Sequence, residues 1–346
     1  MATPTLDARP LLRAEEYIED LDVSRDGRAV VAASVSGEVV LGELDAAGGP
    51  WRYRTIATHA AEASRARFSP DGTAVATASN DATMVVRDLT GAALHTVEGE
   101  GWARDLAWRP DGREIAVAIG RDVHRLAPDG SRRPLHRDHP TTVECLAWTN
   151  DGRHLGVGTY GGVWWYQGDP RPLKRFEWKG ALLSLTVSPD DGWAASGNQD
   201  ASVHCWRLWK KGDELEMTGY PAKVQHIAWD TTSTDLAVGN MGEVTVWSFG
   251  GRGPKGTRPR QFGAHERHIV GIGYRPTGGD LLATVSADGL LCLWQPRSGS
   301  TEPLASLMLD GGPTCLRWSP TGERLVVGTA DGAVHDVHVG EGADAA

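Results

Sequence analysis

The feature of this sequence that most constrains its fold is a short phrase that returns eight times along the chain. Two copies, LAWRPDG and LAWTNDG, begin at 106 and 146, and the others begin at 21, 66, 185, 227, 272 and 316. The turn positions that end the phrases lie 40 to 45 residues apart, at Gly27, Gly72, Gly112, Gly152, Gly192, Ser233, Gly278 and Gly322. A fixed period of this length indicates a repeat architecture rather than two unrelated domains.

Each period contains four short apolar runs separated by turn residues. In residues 266–308 these runs are IVGIGY, LLATV, LLCLW and PLASLML. Short runs rich in β-branched and aromatic residues between Gly, Asp, Asn and Pro are typical of strands joined by hairpins. The repeat therefore predicts four-stranded antiparallel sheets, with the recurring phrase as the inner strand and first hairpin of each. A single sheet cannot bury both faces, so successive sheets must stack.

The two ends of the chain complement one another. The eighth copy stops after three runs, whereas RPLLRAEEY at 9–17 resembles a fourth run such as RPLKRFEW at 171–178. We therefore expect the N-terminal strand to complete the last sheet, which removes an exposed sheet edge. The predicted domain covers residues 9–340, with flexible termini at 1–8 and 341–346.

The pattern resembles a degenerate WD-repeat (WD40-type) β-propeller. The Trp that this family carries at the end of the third strand is present as Trp206, Trp247 and Trp294, although no Trp-Asp dipeptide occurs. The resemblance implies an all-β propeller, and the complete first copy predicts eight blades instead of the usual seven. It also implies a buried hydrogen-bond network in the seventh copy, drawn from Gly263, His265, Ser286, Asp288 and Trp294.

Composition and motifs exclude several other classes. No apolar run approaches the ~18 residues of a membrane helix, and the N-terminus lacks the features of a secretory signal. The many Arg, Ala and Gly residues suggest a bacterial genome, so we expect a bacterial cytoplasmic protein. A net charge of −10 opposes general attraction to nucleic acid or membranes.

Nothing in the sequence predicts a cofactor or a metal. The four cysteines stand singly, and the motifs of serine hydrolases, zinc peptidases, haem attachment and phosphate loops are missing from the sequence. Three histidines, at 136, 139 and 154, are a weak candidate for a metal site, because their strand positions differ. Four tryptophans share one inner-strand position and are predicted to wedge between neighbouring sheets: Trp108, Trp148, Trp229 and Trp318.

The resemblance implies a binding face formed by the loops that enter the inner strands. The candidate partner-binding residues at these entrances are Trp102, Arg104, Tyr17, Glu19, Glu62, Glu144, Lys223 and His268. Exposed Trp and Arg are the residues most enriched at interaction hot spots, so Trp102 and Arg104 stand out. Packing of Trp102 against a neighbouring sheet is the alternative. Two further aromatics, Tyr160 and Tyr220, are candidates on the opposite arc.

We therefore predict a non-catalytic scaffold that binds one or more proteins whose identity the sequence does not reveal. Two alternatives remain. One is a small-ligand binder or enzyme that uses the central channel, with Glu19, Glu62, Arg104, Glu144 and His268 as its polar groups. The other is nucleic-acid contact through the basic loop 248–263, which carries Arg252, Lys255, Arg258 and Arg260.

Overall fold

The structure of the chain, a computed structural model, describes residues 4–45, 49–133, 136–210, 213–251 and 253–340. Regular structure in these ranges consists of 28 β-strands without any helix, so no described segment forms a helix fit to span a bilayer. The first fourteen strands are β1 Thr5–Arg13, β2 Ile18–Val23, β3 Ala29–Ser34, β4 Glu38–Leu44, β5 Trp51–Thr58, β6 Ala63–Phe68, β7 Ala74–Ser79, β8 Thr83–Asp88, β9 Ala93–Glu98, β10 Ala103–Trp108, β11 Ile115–Ile119, β12 Asp122–Leu126, β13 Val143–Trp148 and β14 Leu155–Tyr166. The others are β15 Lys174–Val187, β16 Trp193–Asn198, β17 Val203–Arg207, β18 Glu214–Met217, β19 His226–Trp229, β20 Asp235–Gly239, β21 Met241–Ser248, β22 Arg260–Tyr274, β23 Leu282–Ser286, β24 Leu290–Trp294, β25 Ala305–Met308, β26 Pro313–Trp318, β27 Arg324–Thr329 and β28 Ala333–Gly340.

The strands form antiparallel sheets that follow the sequence repeat. Strands β2–β5 and β6–β9 are two separate four-stranded sheets. Strands β13–β18 and β19–β25 form two larger sheets, because β15 and β22 each take part in two repeats. The outer part of β15 pairs with β14, whereas its inner part, from Leu182 to Val187, pairs with β16. The predicted all-β, antiparallel architecture is confirmed.

A sharp bend replaces a loop inside β14. Gly161 and Gly162 both have positive φ, 94° and 135°. A Cβ atom on Gly162 would lie 1.9 Å from the carbonyl oxygen of Phe176, so only glycine fits where the two strand segments approach each other. This bend is why the second and third predicted strands of that repeat form one continuous element.

The third repeat departs from the four-strand pattern. Its named strands are β10, β11 and β12, and a fourth strand is replaced by isolated bridges from Val123 to His136 and from Leu126 to Arg132. Residues 134 and 135 lie outside the described ranges. The described residues of this segment, 131–133 and 136–138, are all polar or charged.

The recurring hairpin is stabilised by its first hydroxyl residue as well as by its Asp. In the first copy Ser24 Oγ donates to Asp26 Oδ1 (2.6 Å) and accepts from the backbone N of Ala29 (2.8 Å). The last turn position has positive φ, as in Gly27 at 72°. The fifth copy differs from the prediction, because its positive-φ residue is Asp191 (54°) and not Gly192.

The N-terminal strand lies at the edge of the last sheet. Strand β1 pairs antiparallel with β28 from Thr5 opposite Gly340 to Arg13 opposite Ala333, which gives the strand order β1-β28-β27-β26. The prediction that residues 1–8 form a flexible terminus is therefore wrong for residues 5–8. Leu6 and Ala8 pack against the core of the last sheet, which explains why the strand begins earlier than predicted. Residues 1–3 and 341–346 lie outside the described ranges.

The hydrophobic core consists of clusters shared by neighbouring repeats. One cluster joins the second and third repeats and includes Met84, Leu106 and Ile115. Another joins the first sheet to the last and contains Leu11, Leu12, Leu21, Val40, Val326 and Val334. Apolar burial stabilises such contacts by about 25 cal/mol per Å², so each sheet depends on its neighbours.

Inner-strand tryptophans link adjacent repeats through hydrogen bonds. The indole Nε1 of Trp148 donates to the carbonyl of Ala107 (3.1 Å), and that of Trp318 donates to the carbonyl of Gly273 (2.9 Å). Trp108 makes the same contact with Arg67 at 3.4 Å. Trp229 lacks this hydrogen bond and is buried in the core cluster shared by the fifth and sixth repeats, where its ring lies 4.6 Å from that of Phe249. The four residues thus lie between repeats, as predicted.

A buried network in the seventh repeat matches the expectation in part. Trp294 Nε1 donates to Thr284 Oγ1 (2.7 Å), and His265 Nε2 bonds the same oxygen (2.8 Å). Thr284 is therefore the central link. Ser286, which the resemblance implied, donates to the carbonyl of Arg267 instead (3.0 Å).

Candidate functional site

The candidate residues lie where the chain enters the inner strands, and this surface is called the entry face. Tyr17 and Glu19 are at the start of β2, and Trp102 and Arg104 are at the start of β10. The remaining candidates lie at or next to the start of β6, β13 and β19 and within β22, and they are Glu62, Glu144, Lys223 and His268. Their shared position follows from the repeat, since equivalent residues of antiparallel sheets occupy the same edge.

Trp102 and Arg104 form a single unit in which the indole is exposed and the Arg104 side chain is half-buried. The guanidinium carbon of Arg104 lies 4.6 Å from the centre of the Trp102 ring, and Arg104 Nε is 3.8 Å from Glu144 Oε2. The Trp102 side chain is 55% exposed, so it does not act as a wedge between sheets. Stacking of the cation on the indole fixes both side chains in an orientation that faces solvent.

Tyr17, Glu19 and Glu62 form a second group on the entry face. Glu62 accepts a hydrogen bond from Asn80 Nδ2 (3.0 Å). Burial raises the pKa of Glu19, and the positive charge of Arg65 partly offsets this rise. Burial and the nearby carboxylates of Glu19 and Glu62 raise the pKa of Tyr17. These three side chains therefore interact electrostatically.

Lys223 and His268 are exposed on the opposite arc. The backbone of each residue has a structural role, because the carbonyl of Lys223 accepts from Asn240 Nδ2 (3.1 Å) and His268 pairs with Met241. Tyr220, a predicted rim aromatic, is mostly buried. Its hydroxyl accepts from Trp247 Nε1 (3.0 Å), which holds the ring inside the sheet.

Five of the nine exposed large hydrophobic residues among the described ranges belong to the entry face. They are Tyr17, Trp102, Tyr160, Met241 and Met308. Tyr160 pairs with Ala181 and Met241 with His268, both next to inner strands, and Met308 ends the fourth strand of the seventh repeat. The two methionines were not predictable, because a single exposed Met leaves no pattern in the sequence.

A cavity of about 720 Å³ opens at the entry face and is lined by residues from the inner strands of all eight repeats. Its lining includes Tyr17, Glu19, Glu144 and His268. Four other candidates are not among the lining residues, namely Glu62, Trp102, Arg104 and Lys223. The polar groups suggested for a channel site therefore do not all converge on one point.

One half of the cavity wall carries a network of ion pairs. Asp20 is paired with Arg67 and lies 3.3 Å from Arg317, while Arg65 Nε lies 3.2 Å from Asp105 Oδ1. Both carboxylates also accept backbone N–H groups of the next inner strand. Asp20 accepts from Ala66 (3.2 Å) and Asp105 from Leu146 (2.8 Å). The network joins neighbouring repeats, and so its charges are occupied by structural contacts.

A sequence signal for this network exists. Asp20, Arg65 and Asp105 occupy the same inner-strand position in three successive repeats, with alternating charge. The equivalent positions of the other repeats hold Cys145, Ser184, His226, Gly271 and Cys315, and all five line the cavity. Burial lowers the pKa of His226 to about 4, so its imidazole is neutral near pH 7. At this position the last five repeats therefore present side chains that are mostly small and uncharged.

The histidines at 136, 139 and 154 are occupied by contacts with aromatic side chains. His136 stacks on Tyr166 at 3.7 Å, and His139 Nε2 bonds the hydroxyl of the same Tyr166 at 2.8 Å. His154 packs on Trp209 at 4.2 Å. Within the described part of the chain no group of three or more His, Cys, Asp or Glu is arranged to hold a metal ion.

The basic loop 248–263 presents fewer cations than the sequence suggested. Arg260 begins β22 and lies 2.8 Å from the buried Asp235, and it also donates to the carbonyl of Pro296 (3.0 Å). Arg252 lies outside the described residues. Lys255 and Arg258 are exposed, which leaves two cations of the described loop facing solvent.

Three segments of the chain match the family model for the WD domain, G-beta repeat (WD40), at residues 52–88, 171–207 and 303–335. Protein HIR1 of Candida albicans is 23% identical over 79% of this chain, and THO complex subunit 3 of Arabidopsis thaliana is 27% identical over 34%. The chain spans 31% and 36% of the length of these two relatives. These matches support the WD40 family.

Solved structures support the same fold. The crystal structure of Saccharomyces cerevisiae Sqt1 superimposes with a TM-score of 0.83 and 13% identity, covering 98% of this chain and 99% of that one. The crystal structure of the C-terminal WD40 domain of Sif2 superimposes with a TM-score of 0.76 and 15% sequence identity. The match covers 96% of this chain and 98% of that one. At such low identity the WD40 likeness extends to the fold alone.

Proposed function

We propose that this chain is a non-catalytic protein-interaction scaffold that binds a protein or peptide at the entry face. The observation that carries the proposal is the exposed pair of Trp102 and Arg104, set among four other exposed large hydrophobic residues on the same surface. Aromatic and Arg side chains contribute most of the binding energy at protein interfaces. The WD40 relatives include a subunit of a protein complex, THO complex subunit 3, which supports protein partners in general.

The scaffold we propose is a propeller of eight blades whose ring is closed by the N-terminal strand. Three observations support this arrangement: strand β1 pairs with β28, a core cluster joins the first sheet to the last, and all eight inner strands line one cavity. A closed ring covers the edge of β28 and holds the entry loops at fixed positions. Such rigidity suits a surface that must present several side chains together.

The channel alternative has less support. Several ionised groups of its wall are bound to one another or to backbone amides, namely Asp20, Arg67 and Asp105. Groups committed to structural contacts are poorly placed to act on a substrate. Nucleic-acid contact through the basic loop is weakened by the pairing of Arg260 with Asp235.

The test compares partner capture from an extract of the source organism by three forms of the protein. These are the wild type, a Trp102→Ala/Arg104→Ala variant and a control Arg52→Ala/Tyr53→Ala variant. The control removes an equally exposed aromatic and a cation from the outer strand β5. We expect proteins captured by the wild type and the control to be lost with the first variant. Equal capture by all three forms would place the binding surface elsewhere.

A further inference from the structure

Over the first four repeats the entry face carries more carboxylates than cations. Arg104 is shared between Trp102 and Glu144, and Arg65 is bound to Asp105. Glu62 has a neutral amide, Asn80, as its hydrogen-bond partner. Among the described residues Glu19 has no side-chain donor within hydrogen-bond distance. Among the described residues neither of these half-buried carboxylates has a cation within ion-pair distance, although the charge of Arg65 reaches Glu19.

An aromatic ring lies beside these carboxylates. The charges of Glu19 and Glu62 both act on the Tyr17 hydroxyl, and the ring is 37% exposed at the cavity mouth. A cation placed here would contact the face of a tyrosine and pair with one or two carboxylates. Both contacts are strongest when partly desolvated. The exposed Glu15 and Glu16 next to Tyr17 add to the negative potential.

We propose that the partner segment that docks on the entry face is basic, and that it inserts a Lys or Arg side chain beside Tyr17 between Glu19 and Glu62. This inference rests on the proposed function, because it assumes that the entry face is the docking surface. Apolar residues of the same segment would pack on Trp102 and the neighbouring rim. Burial raises the pKa of Glu19, and a bound cation would lower it.

A display library of random 12-residue peptides tests the chemistry of this site directly. Peptides are selected on the wild-type protein and sequenced, and their affinities for defined variants are then measured. We expect the selected peptides to share a Lys or Arg position. We also expect at least about tenfold weaker binding to a Glu19→Gln/Glu62→Gln variant, because a buried charge pair is lost.

The matched control is Glu302→Gln/Glu323→Gln, which removes the same charge from two exposed positions outside the entry face. Binding to this variant should equal that of the wild type, whereas an equal loss in both variants would mean general attraction to an acidic protein. Melting temperatures of all three forms check that folding is intact. Selected peptides without a shared basic residue, or no peptide that prefers the wild type over Glu19→Gln/Glu62→Gln, would overturn the inference.

The two proposals fail in different ways. If partner capture depends on Trp102 and Arg104 but the selected peptides are not basic, the entry face remains the docking surface and the cation site is wrong. If basic peptides depend on Glu19 and Glu62 while cellular partners are retained by the Trp102→Ala/Arg104→Ala variant, the extent of the docking surface proposed here is wrong.

Discussion

The Trp148 side chain shows how single residues hold successive repeats together. Its ring packs with the core cluster of the third and fourth repeats, and its Nε1 donates to the carbonyl of Ala107 in the preceding inner strand. The side chain of Arg125 also lies over this ring, with its guanidinium carbon 5.7 Å from the ring centre. One residue thus provides apolar burial, a hydrogen bond and a cation contact across a single boundary.

Replacing Trp148 by Ala should lower the free energy of unfolding by about 3 kcal/mol, because it leaves a cavity and an unpaired carbonyl. Urea unfolding measures the change. Trp102→Ala is the matched control, since that side chain is 55% exposed and its removal should cost little. Similar losses for the two variants would contradict the wedge role of Trp148.

The residue scale also marks the limit of sequence reasoning. The entry-face candidates were predictable, because residues at one offset from the repeated turn must share one edge of the structure. The exposure of these residues was not predictable. The Tyr220 side chain points inward and bonds Trp247, whereas the Tyr160 side chain is exposed. Side-chain direction at a loop depends on neighbours from other repeats, which a single repeat does not contain.

At the scale of secondary structure, the strand β1 is the element with the largest predicted effect on stability. It pairs along its length with β28, and its residues Leu11 and Leu12 belong to the cluster that joins the first and last sheets. Removal of residues 1–13 would expose both the edge of β28 and this apolar cluster.

We therefore expect deletion of residues 1–13 to lower the melting temperature by at least about 10 °C and to promote aggregation through the freed edge. Differential scanning calorimetry and light scattering measure the two effects. The control is Arg9→Ala, because this side chain is 77% exposed and its ion pair with Asp7 lies at the surface. A deletion variant as stable as Arg9→Ala would show that the pairing of β1 contributes little.

Elements were predictable where the repeat is regular and not where it is interrupted. The turn residues indicate the positions of the inner strands, and all eight phrases start inside an inner strand and end in the turn that follows it. The joined strand β14 depends on the close approach of Gly162 to Phe176, and in the described residues of the third repeat two isolated bridges stand in place of a fourth strand. Both departures arise from local packing that the period alone does not encode.

At the scale of the whole molecule, Asp20 connects parts of the chain that are far apart in sequence. Its carboxylate pairs with Arg67 of the second repeat and Arg317 of the last, and it accepts the backbone N–H of Ala66. Burial opposes ionisation of Asp20, but the two guanidinium groups outweigh it, and its pKa lies below the ordinary value. The ionised form therefore stabilises the contact between the first and last sheets.

Replacing Asp20 by Asn should lower the free energy of unfolding by about 3 kcal/mol near pH 7, because two cations lose their buried partner. A carboxyl with a depressed folded-state pKa contributes stability that is present above its unfolded pKa of about 4 and is lost as the pH falls below it. The deficit of Asp20→Asn relative to the wild type should thus shrink as the pH falls from 5 to 3.

Chemical denaturation at pH 7, 5 and 3 measures this convergence, and Asp26→Asn serves as the control. The pKa of Asp26 is also lowered, mainly by the hydrogen bond that Ser24 donates to it. The contacts of Asp26 lie within one hairpin, so it does not join distant repeats. An Arg317→Met variant should cost less when Asp20 is already Asn, since the two residues then no longer interact. Additive effects of the two substitutions would mean that Asp20 does not couple the last repeat to the first.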